Sequence, residues 1–118
     1  MRAMPAQGFE VSERQGTLAT VQVLAVKGAI TFASSPAFQN AITAAKAPRL
    51  IIDLTEVPSV DSMAVGTLVR AYVSCQKAGR KLVLVGLNHR VKNILQITGV
   101  DPLFETYASI TEAQATLI

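Results

Sequence analysis

The most informative part of the chain is residues 50–87, which read LIIDLTEVPSVDSMAVGTLVRAYVSCQKAGRKLVLVGL. The run Leu50–Leu54 is short and almost entirely apolar, as is typical of a strand covered on both faces of a sheet. Apolar residues then recur at helical spacing over residues 62–77, and Leu82–Val85 is a second apolar run. A strand, a helix and a strand in this order require a parallel strand pair joined by a crossover helix. Residues 50–87 therefore predict an α/β fold.

The flanking segments extend this unit to a mixed sheet of four or five strands with about four helices packed on it. Alternating apolar residues on both sides of Gln15-Gly16 predict a β-hairpin. The residue before Pro36 is expected to be extended and to cap a helix. Cap residues and apolar runs predict two further helices, beginning at Asn88 and at Ser109 or Thr111, and an edge strand at Phe104–Tyr107.

Length and composition indicate one compact domain. The chain has 118 residues, half of them hydrophobic, which is enough to bury a core. We expect residues 1–118 to form a single domain, with residues 1–7 as a disordered tail. A single cysteine, Cys75, excludes an intramolecular disulfide. No run approaches the roughly 20 apolar residues that cross a bilayer, so we predict no membrane insertion and a cytoplasmic location.

The charge is distributed unevenly along the chain. The formal net charge of +3 is too small to predict nucleic-acid binding by itself. No acidic residue lies between Asp61 and Asp101, however. Such a basic interval is either a solvated surface or a site for an acidic protein, an anionic membrane or a phosphate. The interval holds Arg70, Lys77, Arg80, Lys81, His89, Arg90 and Lys92.

The residues that could carry catalysis are poorly placed for it. The single histidine, His89, lies in the basic interval, and Cys75 is predicted to be a buried thiol of an amphipathic helix. Asp53, Glu56 and Asp61 surround one strand–helix turn, where carboxylates are common caps. The sequence has no zinc-ligand spacing, phosphate-binding loop or dinucleotide fingerprint. We therefore predict a protein that is not an enzyme and that binds no cofactor or metal.

Ser62 is the most informative polar residue. The segment Asp53–Gly66 runs from a buried strand through a loop into the predicted start of a helix at Ser62. A hydroxyl group there can accept a backbone N–H and cap the helix. It can also carry a phosphate, because free N–H groups and the helix dipole favour an anion at this end. The residues alone leave both interpretations open.

Characteristic residues occur along nearly the whole chain. They are Ile52-Asp53-Leu54, Val60-Asp61-Ser62, Gly66, Ala78-Gly79 followed by Leu82–Val85, and the helix ending Leu95–Val100. In this order and spacing they resemble the STAS family, the sulphate-transporter and anti-sigma-factor-antagonist domains. The resemblance covers roughly residues 8–118 and implies the same α/β sandwich that the apolar pattern predicts.

The resemblance also implies a function and a site. In the antagonist branch of the family, a serine kinase that is also an anti-sigma factor phosphorylates the serine that follows the aspartate. Only the unphosphorylated antagonist binds that kinase and frees the sigma factor. By this resemblance Ser62 is the phosphoacceptor and Asp61 shapes the loop. The implied partner-binding residues are Asp61, Ser62, Met63, Ala64, Val65 and Gly66.

Two short stretches differ from the antagonist pattern. Many antagonists have Ser or Thr and then Gly where this chain has Met63 and Ala64. Antagonists also often carry a Gly-Glu-aliphatic-Asp run after the second strand. The corresponding residues here are Gly28-Ala29-Ile30-Thr31, so that neither Ala29 nor Thr31 supplies the acid.

These differences keep two other functions open. One is a scaffold or transporter-accessory STAS protein, which predicts stable self-association or co-purification with a larger complex, with little dependence on Ser62. The other is a small-anion or nucleotide sensor that holds a phosphate near Arg90 and Lys92, although the sequence lacks a glycine pattern that cradles phosphate.

Overall fold

The computed structural model describes residues 8–16 and 18–117. In this part of the chain five strands form one sheet in the order β1-β2-β3-β4-β5, with β1 antiparallel to β2 and the other neighbours parallel. The predicted N-terminal tail, residues 1–7, lies outside the described residues. The elements are β1 Glu10–Gln15, β2 Val21–Lys27, α1 Ser35–Ala44, β3 Arg49–Glu56, α2 Ser62–Lys77, β4 Lys81–Val85, α3 His89–Ile97, a 3₁₀ turn Asp101–Leu103, β5 Glu105–Tyr107 and α4 Ile110–Leu117.

The predicted strand–helix–strand unit is confirmed as β3, α2 and β4. The two strands are parallel and in register, with Leu50 opposite Leu82 and Ile52 opposite Leu84. The helix α2 ends before Gly79, whose φ of 71° is a conformation that glycine adopts without strain. The mixed α/β sheet with four helices is thus the architecture that the sequence predicts.

The alternation of side chains along the central strands places helices on both faces of the sheet. Leu50, Ile52 and Leu54 of β3 pack in the larger core with residues of α1, α2 and α3. Ile51, between them, packs in a second core that includes Ala113 of α4. Helices α1, α2 and α3 therefore cover one face, and α4 covers the other.

The start of α1 differs from the prediction. The helix begins at Ser35, so the residue before Pro36 is already helical rather than an extended cap. Ser34 precedes the helix with φ −98° and ψ −12° and makes no side-chain cap bond. Its hydroxyl instead donates to the Ala29 carbonyl at 2.9 Å, because Ser34 is part of a turn that begins at Thr31. The predicted cap of α3 is confirmed, since Asn88 Oδ1 accepts the Val91 N–H at 2.9 Å.

We expect Gly86→Ala to be strongly destabilising. Gly86 has a φ of 74°, and an added Cβ would overlap Thr55 Oγ1 and lie 3.0 Å from Thr55 Cα. The strained backbone alone should lower the free energy of unfolding by about 1–3 kcal/mol. Urea denaturation measures this loss. Gly66→Ala is the matched control, because its Cβ would meet only Arg70 Nη1 at 3.5 Å within α2. It should raise the free energy of unfolding by about 0.5–1 kcal/mol. A Gly86→Ala variant as stable as the wild type would contradict the close approach of Gly86, directly after β4, to Thr55.

Candidate functional site

Asp61, not Ser62, caps α2. Asp61 has extended φ and ψ angles of −99° and 179°, and its Oδ1 accepts the Ala64 N–H at 2.9 Å. Ser62 is the first helical residue, so the interpretation of its hydroxyl as the helix cap is wrong. An aspartate at this position also places its negative charge at the positive end of the helix dipole.

The second carboxylate oxygen of Asp61 binds the β2–α1 loop, which we define as residues 28–34. Asp61 Oδ2 accepts the Phe32 N–H at 3.0 Å. The backbones are also joined, because Asp61 N–H donates to the Ile30 carbonyl and Ile30 N–H donates to the Ser59 carbonyl, both at 3.1 Å. One carboxylate thus couples the first turn of α2 to a loop that is 29 residues away in sequence.

Asn88 holds the loop before α2 from its other side. The Asn88 side-chain amide donates to the carbonyl oxygens of Val57 and Pro58, each at 3.1 Å. Since Asn88 Oδ1 also caps α3, this one side chain fixes two elements. The start of α2 is therefore held between the β2–α1 loop and α3, which gives the Ser62 region a defined shape.

The Ser62 side chain is exposed at this rigid turn. Within residues 8–16 and 18–117, its hydroxyl has no hydrogen-bond partner, and the backbone N–H groups of Ser62 and Met63 have no acceptor. Unpaired N–H groups at a helix start attract anions. The geometry therefore leaves the hydroxyl accessible and provides donors that a phosphate attached to it could use.

The other predicted site residues divide between surface and core. Met63 is 54% exposed, whereas Ala64 and Val65 are 0% and 4% exposed and pack in the larger core. The side chains of Ala64 and Val65 thus belong to the core in this structure, and their place in a partner-binding surface stays a prediction. Gly66 is half-buried at the surface of α2. The sequence analysis did not single out Phe32, which is 71% exposed. A large apolar residue in a predicted loop could have indicated an interaction site.

Asp53, Cys75 and His89, which were considered for catalysis, lie in three different elements, β3, α2 and α3. Asp53 Oδ1 accepts from the Thr55 N–H and hydroxyl, so that it stabilises the end of β3. His89 is exposed at the start of α3, and Cys75 is buried. Burial raises the pKa of the Cys75 thiol, and the nearby Arg80 charge only partly offsets this effect. A protonated thiol is a poor nucleophile. Among the described residues no group of His, Cys, Asp and Glu side chains is arranged to hold a metal ion.

The basic interval is partly engaged within the protein. Arg80 donates from Nε and Nη2 to the carbonyl oxygens of Ala47 and Ala45, each at 2.9 Å, and so satisfies the end of α1. Lys81 pairs with Glu105, an arrangement that raises the pKa of Lys81 and lowers the pKa of Glu105, chiefly through their hydrogen bond. Among the described residues, Arg70, Lys77, Arg90 and Lys92 form no ion pair.

A cleft of about 410 Å³ lies at the carboxyl ends of β3, β4 and β5. Lys92 lines it together with Thr55, Thr106 and Tyr107, but Arg90 does not. Lys92 is the one cation among the described lining residues, so the pair of cations expected for a phosphate sensor does not converge here. In the described part of the chain, no helix has the length and apolar character needed to span a membrane.

Comparison with known families identifies the fold. The profile of the STAS domain matches residues 9–113. The chain belongs to the STAS domain family. The resemblance that the sequence motifs suggested is thereby confirmed, and the five-stranded mixed sheet with four helices is the STAS fold.

The relatives of this STAS domain include anti-sigma factor antagonists. The anti-sigma-B factor antagonist of Listeria monocytogenes is 41% identical over 56 residues, or 48% of this chain and 49% of the relative. A Thermotoga neapolitana protein named for an anti-sigma factor antagonist is 34% identical over 65 residues, or 55% of this chain and 58% of the relative. The chain thus aligns with about half the length of these curated relatives.

Solved structures share the fold over most of the chain. An anti-sigma factor antagonist of Mycobacterium paratuberculosis has a TM-score of 0.83 at 24% identity and covers 96% of this chain and 97% of its own. The phosphorylated form of Bacillus SpoIIAA has a TM-score of 0.69 at 15% identity, with 93% and 99% covered. SLC26A9 has a TM-score of 0.70 at 22% identity, with 82% of this chain but 19% of SLC26A9 covered. At these identities the likeness establishes the fold alone.

Proposed function

We propose that this STAS domain is an antagonist of an anti-sigma factor, that it docks to an anti-sigma factor that is also a serine kinase, and that phosphorylation of Ser62 ends the docking. The observation that carries the proposal is the exposed Ser62 hydroxyl at the first position of α2, unpartnered among the described residues. Asp61 supplies the cap, so Ser62 is not needed for capping and its hydroxyl is available for modification.

A phosphate on Ser62 would change this surface by electrostatics. It adds about −1.5 to −2 charges at neutral pH. The free N–H groups of Ser62 and Met63 would favour it, and the neighbouring Asp61 carboxylate would repel it. Met63 and Phe32 make the same region apolar in the unmodified protein. Phosphorylation would therefore turn an apolar docking surface into an anionic one, which gives two forms that a partner can distinguish.

The proposed role is regulatory and requires no catalytic group in this chain. The Thermotoga neapolitana and Listeria monocytogenes relatives are named as anti-sigma factor antagonists, which are regulatory proteins. A cytoplasmic location is part of the proposal, because the sigma factor and its kinase act there. Docking between two proteins needs an exposed surface of defined shape. The Ser62 region can therefore serve this role without a catalytic site.

The experiment that tests the proposal is phosphorylation in vitro. The protein is incubated with ATP and the anti-sigma factor kinase of the source organism, and the product is analysed by intact mass and fragmentation. We expect one phosphate, located on Ser62. Ser62→Ala should remain unmodified, whereas Ser12→Ala, which removes an exposed serine of β1, should be modified as the wild type is. A phosphate on another residue, or none, would contradict the proposal.

A further inference from the structure

The helices on the larger-core face of the sheet lack acidic side chains. None of α1, α2 or α3 contains an aspartate or glutamate. Other exposed elements do, as with Glu10 and Glu13 on β1 and Glu112 on α4, which lies on the opposite face. Helices α2 and α3 carry cations that form no ion pair among the described residues, so the helices on this face have a net positive charge.

The solvent-facing side of α2 forms a narrow strip that combines apolar and basic side chains. At 100° per residue its members lie within about a third of the helix circumference and extend over about 20 Å. Two apolar side chains, two cations, a serine and a glycine make up this strip. We call this set the α2 strip: Met63, Gly66, Arg70, Val73, Ser74 and Lys77.

Gly66 in the α2 strip has no intramolecular reason to be a glycine. An added Cβ would meet only Arg70 Nη1, at 3.5 Å, and the residue has ordinary helical backbone angles. Glycine inside a helix nevertheless costs about 0.5–1 kcal/mol relative to alanine. A position without a side chain on an exposed helix lets the backbone of another molecule approach closely. Such an approach would account for the glycine, whereas packing within the fold does not.

Phe32 lies beside the N-terminal end of the α2 strip. Its backbone is fixed there by the Asp61 carboxylate, while its side chain is 71% exposed. An aromatic side chain on a rigid backbone loses little conformational entropy on binding and fills pockets well. Phe32 is therefore suited to be the anchor of an interface that continues along Met63 and the rest of the α2 strip.

We propose that Phe32 and the α2 strip together bind a partner protein whose contact surface combines an apolar pocket with carboxylates. The pocket receives Phe32 and Met63, and the carboxylates pair with Arg70 and Lys77. This inference rests on the proposed function for the place of docking, and it adds the chemistry of the partner. It also explains the switch, because a phosphate on Ser62 would face the partner's own negative charge.

Charge complementarity favours a protein over the two other occupants. An anionic membrane gains about 1 kcal/mol for each basic residue near its surface, so Arg70 and Lys77 alone would bind it only weakly. A second copy that met this one face to face would bring cation against cation, since the α2 strip has no acid. A carboxylate-bearing protein surface satisfies both the cations and the apolar anchor.

The first test measures binding of the anti-sigma factor by titration calorimetry at 50 and 200 mM salt. We expect Phe32→Ala to lose about 30-fold in affinity. Arg70→Gln should lose about 5-fold and show less salt dependence. Arg14→Gln, which removes an exposed cation of β1, should bind as the wild type does. If Ser62→Asp abolishes binding while Phe32→Ala and Arg70→Gln do not weaken it, the proposed function stands and this inference fails.

The second test does not depend on the anti-sigma factor. ¹⁵N-labelled protein is titrated with the acidic copolymer poly(Glu,Tyr), with poly-lysine as the control, and amide shifts are mapped by NMR. Saturable, salt-sensitive shifts confined to the α2 strip and the β2–α1 loop support the inference even if the anti-sigma factor does not bind. Shifts elsewhere or none, tighter binding to vesicles of phosphatidylcholine and phosphatidylglycerol, or self-association through this face would overturn it.

Discussion

We expect Ser62→Asp to weaken binding of the anti-sigma factor by about 100-fold, or about 2.7 kcal/mol. The introduced carboxylate stands at an exposed position next to Asp61, on the proposed docking surface. Like charges brought together in an interface cost several kcal/mol, because both must lose solvent. Titration calorimetry with the purified anti-sigma factor measures the effect.

Two control variants separate this charge effect from damage to the fold. Ser62→Ala should bind as tightly as the wild type and should unfold at the same or slightly higher urea concentration, because Asp61 rather than Ser62 caps α2. Ser12→Asp places the same charge on exposed β1 and should leave binding unchanged. Equal affinity of Ser62→Asp and Ser62→Ala would contradict the phosphorylation switch.

We expect Asp61→Ala to lower the free energy of unfolding by about 2–3 kcal/mol. The variant loses the cap of α2 at Ala64 and the acceptor that holds the Phe32 N–H. It should also weaken partner binding with Ser62 unmodified, because the β2–α1 loop is no longer fixed to α2. Urea denaturation measures the first effect and titration calorimetry the second.

Asp61→Asn is the matched control that can keep the cap of α2 but loses the bond to the β2–α1 loop, because its NH₂ group cannot accept the Phe32 N–H. Its side-chain carbonyl can still accept the Ala64 N–H, and asparagine caps helices about as well as aspartate. It should therefore lose about 1 kcal/mol of stability, less than Asp61→Ala, and this loss comes from the bond to the Phe32 N–H. If Asp61→Ala were as stable as Asp61→Asn, the Asp61 bond to the Ala64 N–H would contribute nothing, and the assignment of Asp61 as the cap of α2 would be wrong.

The sequence predicted the central part of the fold because its signals are local and strong. The apolar runs of β3 and β4 and the amphipathic pattern of α2 each specify an element within a few residues. The α1 boundary was less predictable, because Ser34 hydrogen-bonds within a turn to Ala29 and Thr31 instead of capping the helix.

The candidate site was predictable only in part, because it is assembled from distant segments. Nothing local indicates that Asp61 fixes Phe32, or that the Asn88 amide holds the loop before α2. The burial of Val65, in contrast, was predictable, since helical spacing places it with Leu68 on the inner face of α2. The family resemblance assigned it to the docking surface, whereas the helical phase assigns it to the core.

The basic interval shows the same limit of sequence reasoning. Along the chain Lys81 has no acidic neighbour, but the pairing of β4 with β5 brings Glu105 to it. Arg80 is likewise directed to the end of α1. Folding thus pairs Lys81 with a carboxylate and Arg80 with backbone carbonyl oxygens. The proposed partner chemistry follows from the cations of α2, which form no ion pair among the described residues.

The most direct measurement is the affinity of the anti-sigma factor for two preparations of this protein, one unmodified and one phosphorylated on Ser62. Titration calorimetry at a single salt concentration compares them without any substitution. The proposed function predicts binding of the unmodified protein and at least about 100-fold weaker binding of the phosphorylated protein. Equal affinity of the two preparations would contradict it.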